Sequence, residues 1–135
     1  MTQINPYLNF NGNCREAMRF YRECLGGELT FQTIGDSPIA DQVANEAKDR
    51  ILHAGLTQKG HLLLMGSDMM GASLVVGNSV TLSINCSREE DIRLFFSKLA
   101  VGGQIKEPLA DMCWGALFGS LTDKFGLNWV LNYNK

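Results

Sequence analysis

The sequence predicts an α+β fold built from two βαβββ modules, and three observations predict it. The apolar stripe Ala17, Phe20, Tyr21 and Cys24 falls at helical spacing. Ile92, Phe95, Phe96 and Leu99 repeat that stripe at a constant offset of 75 residues. Each stripe runs into a glycine pair that ends a helix, Gly26-Gly27 in the first half and Gly102-Gly103 in the second. Each half later offers a hairpin, with LTQKG from Leu56 and LTDKFG from Leu121. A module of about sixty residues cannot bury its apolar face alone. The two are therefore expected to form a single domain over 1–135, with module one at about 1–68, a linker at about 69–77 and module two at about 78–135.

The elements follow in order. Ile4 to Phe10 alternates as a short first strand, with Pro6 near its start where a missing N–H is tolerated. Asn13 is a candidate N-cap for the first helix. Glu28 to Ile34 reads as a second strand. Gly35 to Asp49 is the least regular stretch, with room for a short helix over Ala40 to Ala47. Arg50 to Thr57 and His61 to Gly66 read as two strands joined at Gln58-Lys59-Gly60. Met69 to Gly77 reads as a loop, with a strand through Leu74-Val75-Val76 as the alternative.

In the second half, Asn78 to Cys86 reads as a strand with Val80, Leu82 and Ile84 on one face. Ser87 is a candidate N-cap, and Glu89, Glu90 and Asp91 suit the first turn of the helix dipole. Gln104-Ile105 starts a further strand that Pro108 is expected to break. The stretch CWGALFGSLTDKFGLNWVLNY, Cys113 to Tyr133, then reads as two apolar strands joined at a turn that Asp123 shapes and where Gly126 is free to take positive φ.

Composition narrows the function. The 135 residues are 45% hydrophobic and 19% charged, ordinary values for a soluble globular protein. Twelve basic against 14 acidic residues give a net charge of −2, and no Lys/Arg cluster offers a field for nucleic acid. No apolar run approaches the roughly 20 residues that span a bilayer. The start of the chain lacks the pattern of a signal peptide. The four cysteines, Cys14, Cys24, Cys86 and Cys113, form no CxxC pair and no zinc-type spacing. Reduced thiols and a cytoplasmic location are expected.

On the motifs PYLNFNGNCREAMRFYRECLGGEL, FFSKLAVGGQI and WGALFGSLTDKFGLNWVLN, the chain resembles the vicinal oxygen chelate superfamily of glyoxalase I and the bleomycin-resistance proteins. Within it, the terminal motif resembles the PhnB-like branch. The resemblance covers almost the whole chain, most loosely at Gly35 to Asp49. It implies U-shaped sheets around a cavity, and a homodimer. Metal-dependent members of the superfamily hold a divalent ion with His, Glu or Gln near the start of the first strand and late in the last strand of each module. Carried across, those positions fall on Asn5 and about Ser79, on Leu64 (or Met65 with a one-residue slip), and on Val130. Leu, Met and Val supply no suitable ligand, and Asn or Ser alone binds weakly. No metal and no cofactor are expected.

Some PhnB-like proteins are labelled demethylubiquinone methyltransferases. That chemistry needs a glycine-rich loop after a strand, whereas both glycine pairs here follow helices. The candidate ligand residues are the aromatics Tyr7, Trp114, Phe118 and Trp129, together with Asn5, Asn9, His53, Met65 and Ser67. The aromatics serve either a ligand cavity or the packing of sheet on helix, and alternation alone does not say which. His53 is expected partway down its strand and His61 at the hairpin mouth, too far apart to share an ion. Asp68, where the fourth strand ends, reads as an acceptor of backbone N–H bonds. The expected function is metal-free binding of a small apolar or aromatic molecule. The alternatives are a lyase, dioxygenase or isomerase using an unidentified metal site or His53, and a scaffold with no small ligand.

Overall fold

The computed structural model describes residues 2–69 and 73–135. The chain divides into one compact unit ending at Leu74 and a second beginning at Val75. The first unit is built as β1 (Tyr7–Phe10), α1 (Cys14–Leu25), β2 (Glu28–Thr33), β3 (Ile51–Gln58) and β4 (His61–Asp68). The second repeats the order as β5 (Leu82–Cys86), α2 (Glu89–Leu99), β6 (Gln104–Asp111), β7 (Ala116–Thr122) and β8 (Asn128–Asn134). The predicted βαβββ repeat is therefore present twice, as an α+β fold.

Each unit holds one four-stranded mixed sheet. The strand orders are β1-β4-β3-β2 and β5-β8-β7-β6. In each, the first strand pairs parallel with the last, and the remaining neighbours are antiparallel. One face of each sheet carries its helix. In the first unit Cys14, Ala17, Met18, Tyr21 and Cys24 of α1 are buried, as are Ala54, Leu56 and Leu64 of the sheet. In the second, Ile92, Phe96 and Leu99 of α2 are buried along with Leu117, Leu121, Trp129 and Leu131. Phe95, expected in that stripe, is only half-buried.

The glycine pairs have the same physical reason in both units. Gly26 and Gly102 take φ of +81° and +75°, where a side chain would be strained. A Cβ on the following residue would overlap a strand carbonyl, Thr57 O for Gly27 and Thr122 O for Gly103. The helix thus ends and its strand starts flush against the neighbouring chain. The β3–β4 hairpin turns on Lys59 and Gly60 alone, at φ 50° and 80°, the two-residue turn that matches strand twist.

Several expectations are corrected. β1 starts at Tyr7, not Ile4, because Pro6 has no N–H to give; its carbonyl still accepts from Met65 N at 3.1 Å. Asn13 occupies the N-cap of α1 but makes no side-chain capping bond. That task falls to Asp68, whose Oδ1 accepts from Gly12 N at 2.9 Å and Cys14 N at 3.0 Å. The N-cap of α2 is Arg88 rather than Ser87, and Arg88 pairs with Asp91 at 2.9 Å. The stretch 40–47 forms two 3-10 turns, Ala40–Gln42 and Asn45–Ala47, instead of one helix.

β5 starts at Leu82, leaving Val80 72% exposed. No strand forms through Leu74-Val75-Val76. Of the linker expected from Met69 to Gly77, residues 70–72 lie outside the described residues. β6 runs on through Pro108 to Asp111, because it is an edge strand and its register shifts on both sides of Glu107, which accommodates a residue without a ladder N–H.

Candidate functional site

Register decides which side chains leave the helix-bearing faces. On β4, a Cβ at Gly66 would lie 3.1 Å from Met18 Sδ and 3.3 Å from Cys14 Sγ, so Gly66 faces α1. Met65 and Ser67 therefore point to the opposite face. Their partners on β1 are Tyr7 and Asn9. On β3, Ala54 lies opposite Gly66, so His53 and Gly55 also face away from the helix. Of the nine predicted ligand residues, five (Tyr7, Asn9, His53, Met65 and Ser67) share this one face.

Within that group the Tyr7 hydroxyl lies 3.5 Å from His53 Nδ1, and the two rings sit 5.8 Å apart, tilted by 43°. Ser67 is committed to the backbone, donating to Leu52 O at 2.8 Å. Asn5 is half-buried but precedes the strand. His61 is exposed at the hairpin end, paired with Gln58.

In the second unit a Cβ at Gly119 would lie 2.7 Å from Phe96 Cε2, so Gly119 faces α2. Its neighbours across β8 are Leu131, and one pair on, Leu121 with Trp129. Trp129 is therefore on the helix side, 2% exposed, with its indole N–H donating to Asp123 Oδ2 at 2.8 Å. This corrects its placement among the ligand residues. A single residue of register separates it from Val130, on the other face.

Trp114 lies in the turn before β7 rather than on a strand, 63% exposed, and its ring meets Phe118 edge-on at 6.2 Å. The helix-free face around Phe118 also carries Val130, opposite Ser120, and several polar groups. Thr122 Oγ1 donates to Asn128 Oδ1 at 2.8 Å, Lys106 Nζ to the same oxygen at 3.2 Å, and Ser120 Oγ to Glu107 Oε1 at 3.3 Å.

The superfamily's metal positions can be tested on this geometry. Met65 lies directly across from Tyr7, and Val130 directly across from Ser83. At the carried-over positions, Asn5 and Ser79 bring only a carboxamide and a hydroxyl, and Leu64 (or Met65) and Val130 bring alkyl or thioether groups, which do not make a site for a divalent ion of the usual kind. Among the described residues no three His, Cys, Asp or Glu side chains are grouped to hold one. The residues at these positions do not fit a metal. Both glycine pairs close helices, so neither forms a loop to seat a nucleoside cofactor.

The cysteines divide by burial. Burial, reinforced by the Asp68 charge, pushes the Cys14 thiol up to about 12, despite the opposing Arg15. Burial and Asp91 push Cys86 up to about 11. Neither is a thiolate nucleophile at neutral pH. Because the folded protein holds these protons more tightly than the unfolded chain, the associated stability is whole below the ordinary value of 9.0 and is lost as pH rises toward 12. Urea unfolding should thus show a falling free energy above pH 9, by up to about 1.4 kcal/mol per pH unit for the buried Cys14 and by less for the part-exposed Cys86. Cys14→Ala should flatten the slope; an unchanged slope would contradict this account.

Comparisons with known proteins agree with the geometry. Residues 3–131 match the family model of the Glyoxalase/Bleomycin resistance protein/Dioxygenase superfamily. Protein YjdN of Escherichia coli is 31% identical over 141 residues, spanning 98% of this chain and 95% of that protein. Protein PA1353 from Pseudomonas aeruginosa superposes with a TM-score of 0.87 at 38% identity, over 99% of this chain and 98% of that one. The PhnB protein from Bacillus cereus superposes with a TM-score of 0.74 at 27% identity, over 98% and 99% of the two chains. With its duplicated βαβββ unit, the chain belongs to the glyoxalase/bleomycin resistance/dioxygenase superfamily and is PhnB-like within it.

No helix among the described residues is long and apolar enough to cross a membrane.

Proposed function

We propose that this protein binds a small, mostly apolar or aromatic molecule on the helix-free faces of its sheets, as a metal-free homodimer. The observation that carries the reading is the pairing of Met65 with Tyr7 on a face that also holds His53 and Asn9. This face puts a soft apolar side chain beside an aromatic ring. Phe118 and Trp114 bring a second aromatic pair to the other unit. Apolar surface with a few convergent polar groups is what small-molecule recognition requires.

Native mass spectrometry with metal analysis, on protein purified without a His tag or chelator, tests it. A dimer lacking stoichiometric metal and carrying a co-purified small mass is the expected result. Near-stoichiometric metal would overturn the reading. The Tyr7–His53 contact favours one second reading, acid–base chemistry at His53 without a cofactor. It predicts deuterium exchange into a bound carbonyl compound that His53→Ala abolishes; exchange at the buffer rate leaves binding alone.

A further inference from the structure

Among the described residues three glycines lie within strands, and two are explained by packing. A Cβ at Gly66 would crowd Met18 and Cys14, and one at Gly119 would overlap Phe96 and Leu109. Gly55 is different. It lies in β3, an inner strand, where glycine weakens a sheet. Its pairing is regular on both sides, with Thr30 on β2 and Met65 on β4. A Cβ there would meet Thr30 Oγ1 at 3.6 Å, Leu62 Cδ1 at 3.9 Å and His53 Nε2 at 4.0 Å, all ordinary contacts. The fold would accept alanine. A strand glycine that packing does not require marks a place where something else approaches the backbone.

The surroundings say what approaches. Thr30, Gly55, Met65 and Tyr7 form one row across all four strands. His53 flanks the row, with Nδ1 toward the Tyr7 hydroxyl and Nε2 toward the Gly55 hollow. When Tyr7 donates to Nδ1, the imidazole proton resides on Nε2, ready to donate to an acceptor on a ligand. Thr30 Oγ1 on the other side is a hydroxyl that can also donate. Leu62 and Met65 make the remaining walls apolar. Gly55 is buried below this rim, so the occupant of the hollow is thin, a methyl group or the edge of a ring.

We propose that the Gly55 hollow is a binding subsite for a flat, mostly apolar carbonyl compound. Its methyl or ring edge takes the place of the missing side chain, and its oxygen accepts from His53 Nε2 and Thr30 Oγ1. This rests on the binding function proposed above and names the class of molecule it would take.

Acetophenone, a planar methyl ketone, is the probe. His53 and His61 are the only two histidines, so ring-labelled histidine NMR reads the site against an internal control. Acetophenone should move the His53 resonances and leave His61 still. Gly55→Ala should melt no lower than wild type, since it fills space without a clash, yet bind the probe about tenfold more weakly or worse, as expected for one blocked methyl-sized contact. Thr30→Val, which keeps the shape and removes the hydroxyl, should also weaken binding. A Gly55→Ala protein that melts below wild type would show that the glycine serves the fold, and would overturn the subsite. So would wild-type affinity in Gly55→Ala, or a silent His53. If acetophenone binds with His53 silent, the ligand site is elsewhere and the broader binding function stands. If it does not bind the wild type at all, the subsite falls, while a co-purified mass in the native spectrum would still support a binder.

Discussion

Asp68→Ala is expected to destabilise the protein by about 3–5 kcal/mol, the cost of leaving several buried N–H groups without an acceptor. The side chain is 4% exposed at the end of β4. One oxygen holds the N–H groups of Gly12 and Cys14 at the entry to α1, and the other holds Ile51 N at 2.9 Å at the start of β3. A single carboxylate thereby joins three segments that are distant in sequence. It also supplies a negative charge at the positive end of the helix, where the chain's own Asn13 makes no side-chain cap. Asp68→Asn keeps an oxygen on one side only and should fall between wild type and alanine. Urea denaturation measures both, and a loss below about 1 kcal/mol for alanine would contradict this role.

Trp129→Ala should cost a similar amount, about 3–5 kcal/mol, for removal of a large buried ring. The indole sits between β8 and the turn before it, where Asp123 Oδ1 also accepts from Phe125 N at 2.8 Å and Leu127 N at 3.1 Å. Trp129→Phe keeps most of the buried area but removes the bond to Asp123, and should cost about 1–3 kcal/mol. Trp114→Ala, by contrast, should stay within about 1 kcal/mol, because its ring is largely in solvent. Thermal and urea unfolding of the three variants gives the ranking. Equal losses for Trp114 and Trp129 would refute the assignment of one to the core and the other to the surface.

The sequence made the repeat legible because helical periodicity and Gly-Gly endings are local. Ala17, Phe20, Tyr21 and Cys24 are buried as their spacing requires, and each glycine pair meets a strand carbonyl. The site was legible only in part. Tyr7, Asn9, Met65, Ser67 and His53 share a face because β1 and β4 pair in a register that alternation alone does not fix. The same ambiguity assigned Trp129 to a ligand face when Val130 is the residue that points there. Pro108 misled because its effect depends on whether a strand is at an edge, a property of the assembled sheet. Asp68 read correctly as an acceptor of backbone N–H groups, but its donors are more than a dozen residues away, beyond any local pattern. The hollow at Gly55 had no sequence signal either. Its meaning emerged only when packing explained Gly66 and Gly119 and left Gly55 without a reason.

The parallel pairing of each unit's first strand with its last also imposes an order on folding. The β3–β4 hairpin, closed by two turn residues, forms from neighbours and can zip within about 1–10 μs. β1 cannot find its place until β4 exists, and its four residues must then offset the entropy of closing nearly the whole unit into a loop. β5 stands in the same relation to β8. In each unit, then, the segment made first on the ribosome is the last to gain its partner. The emerging chain carries an unpaired leading strand until the far end of its own module has been synthesised.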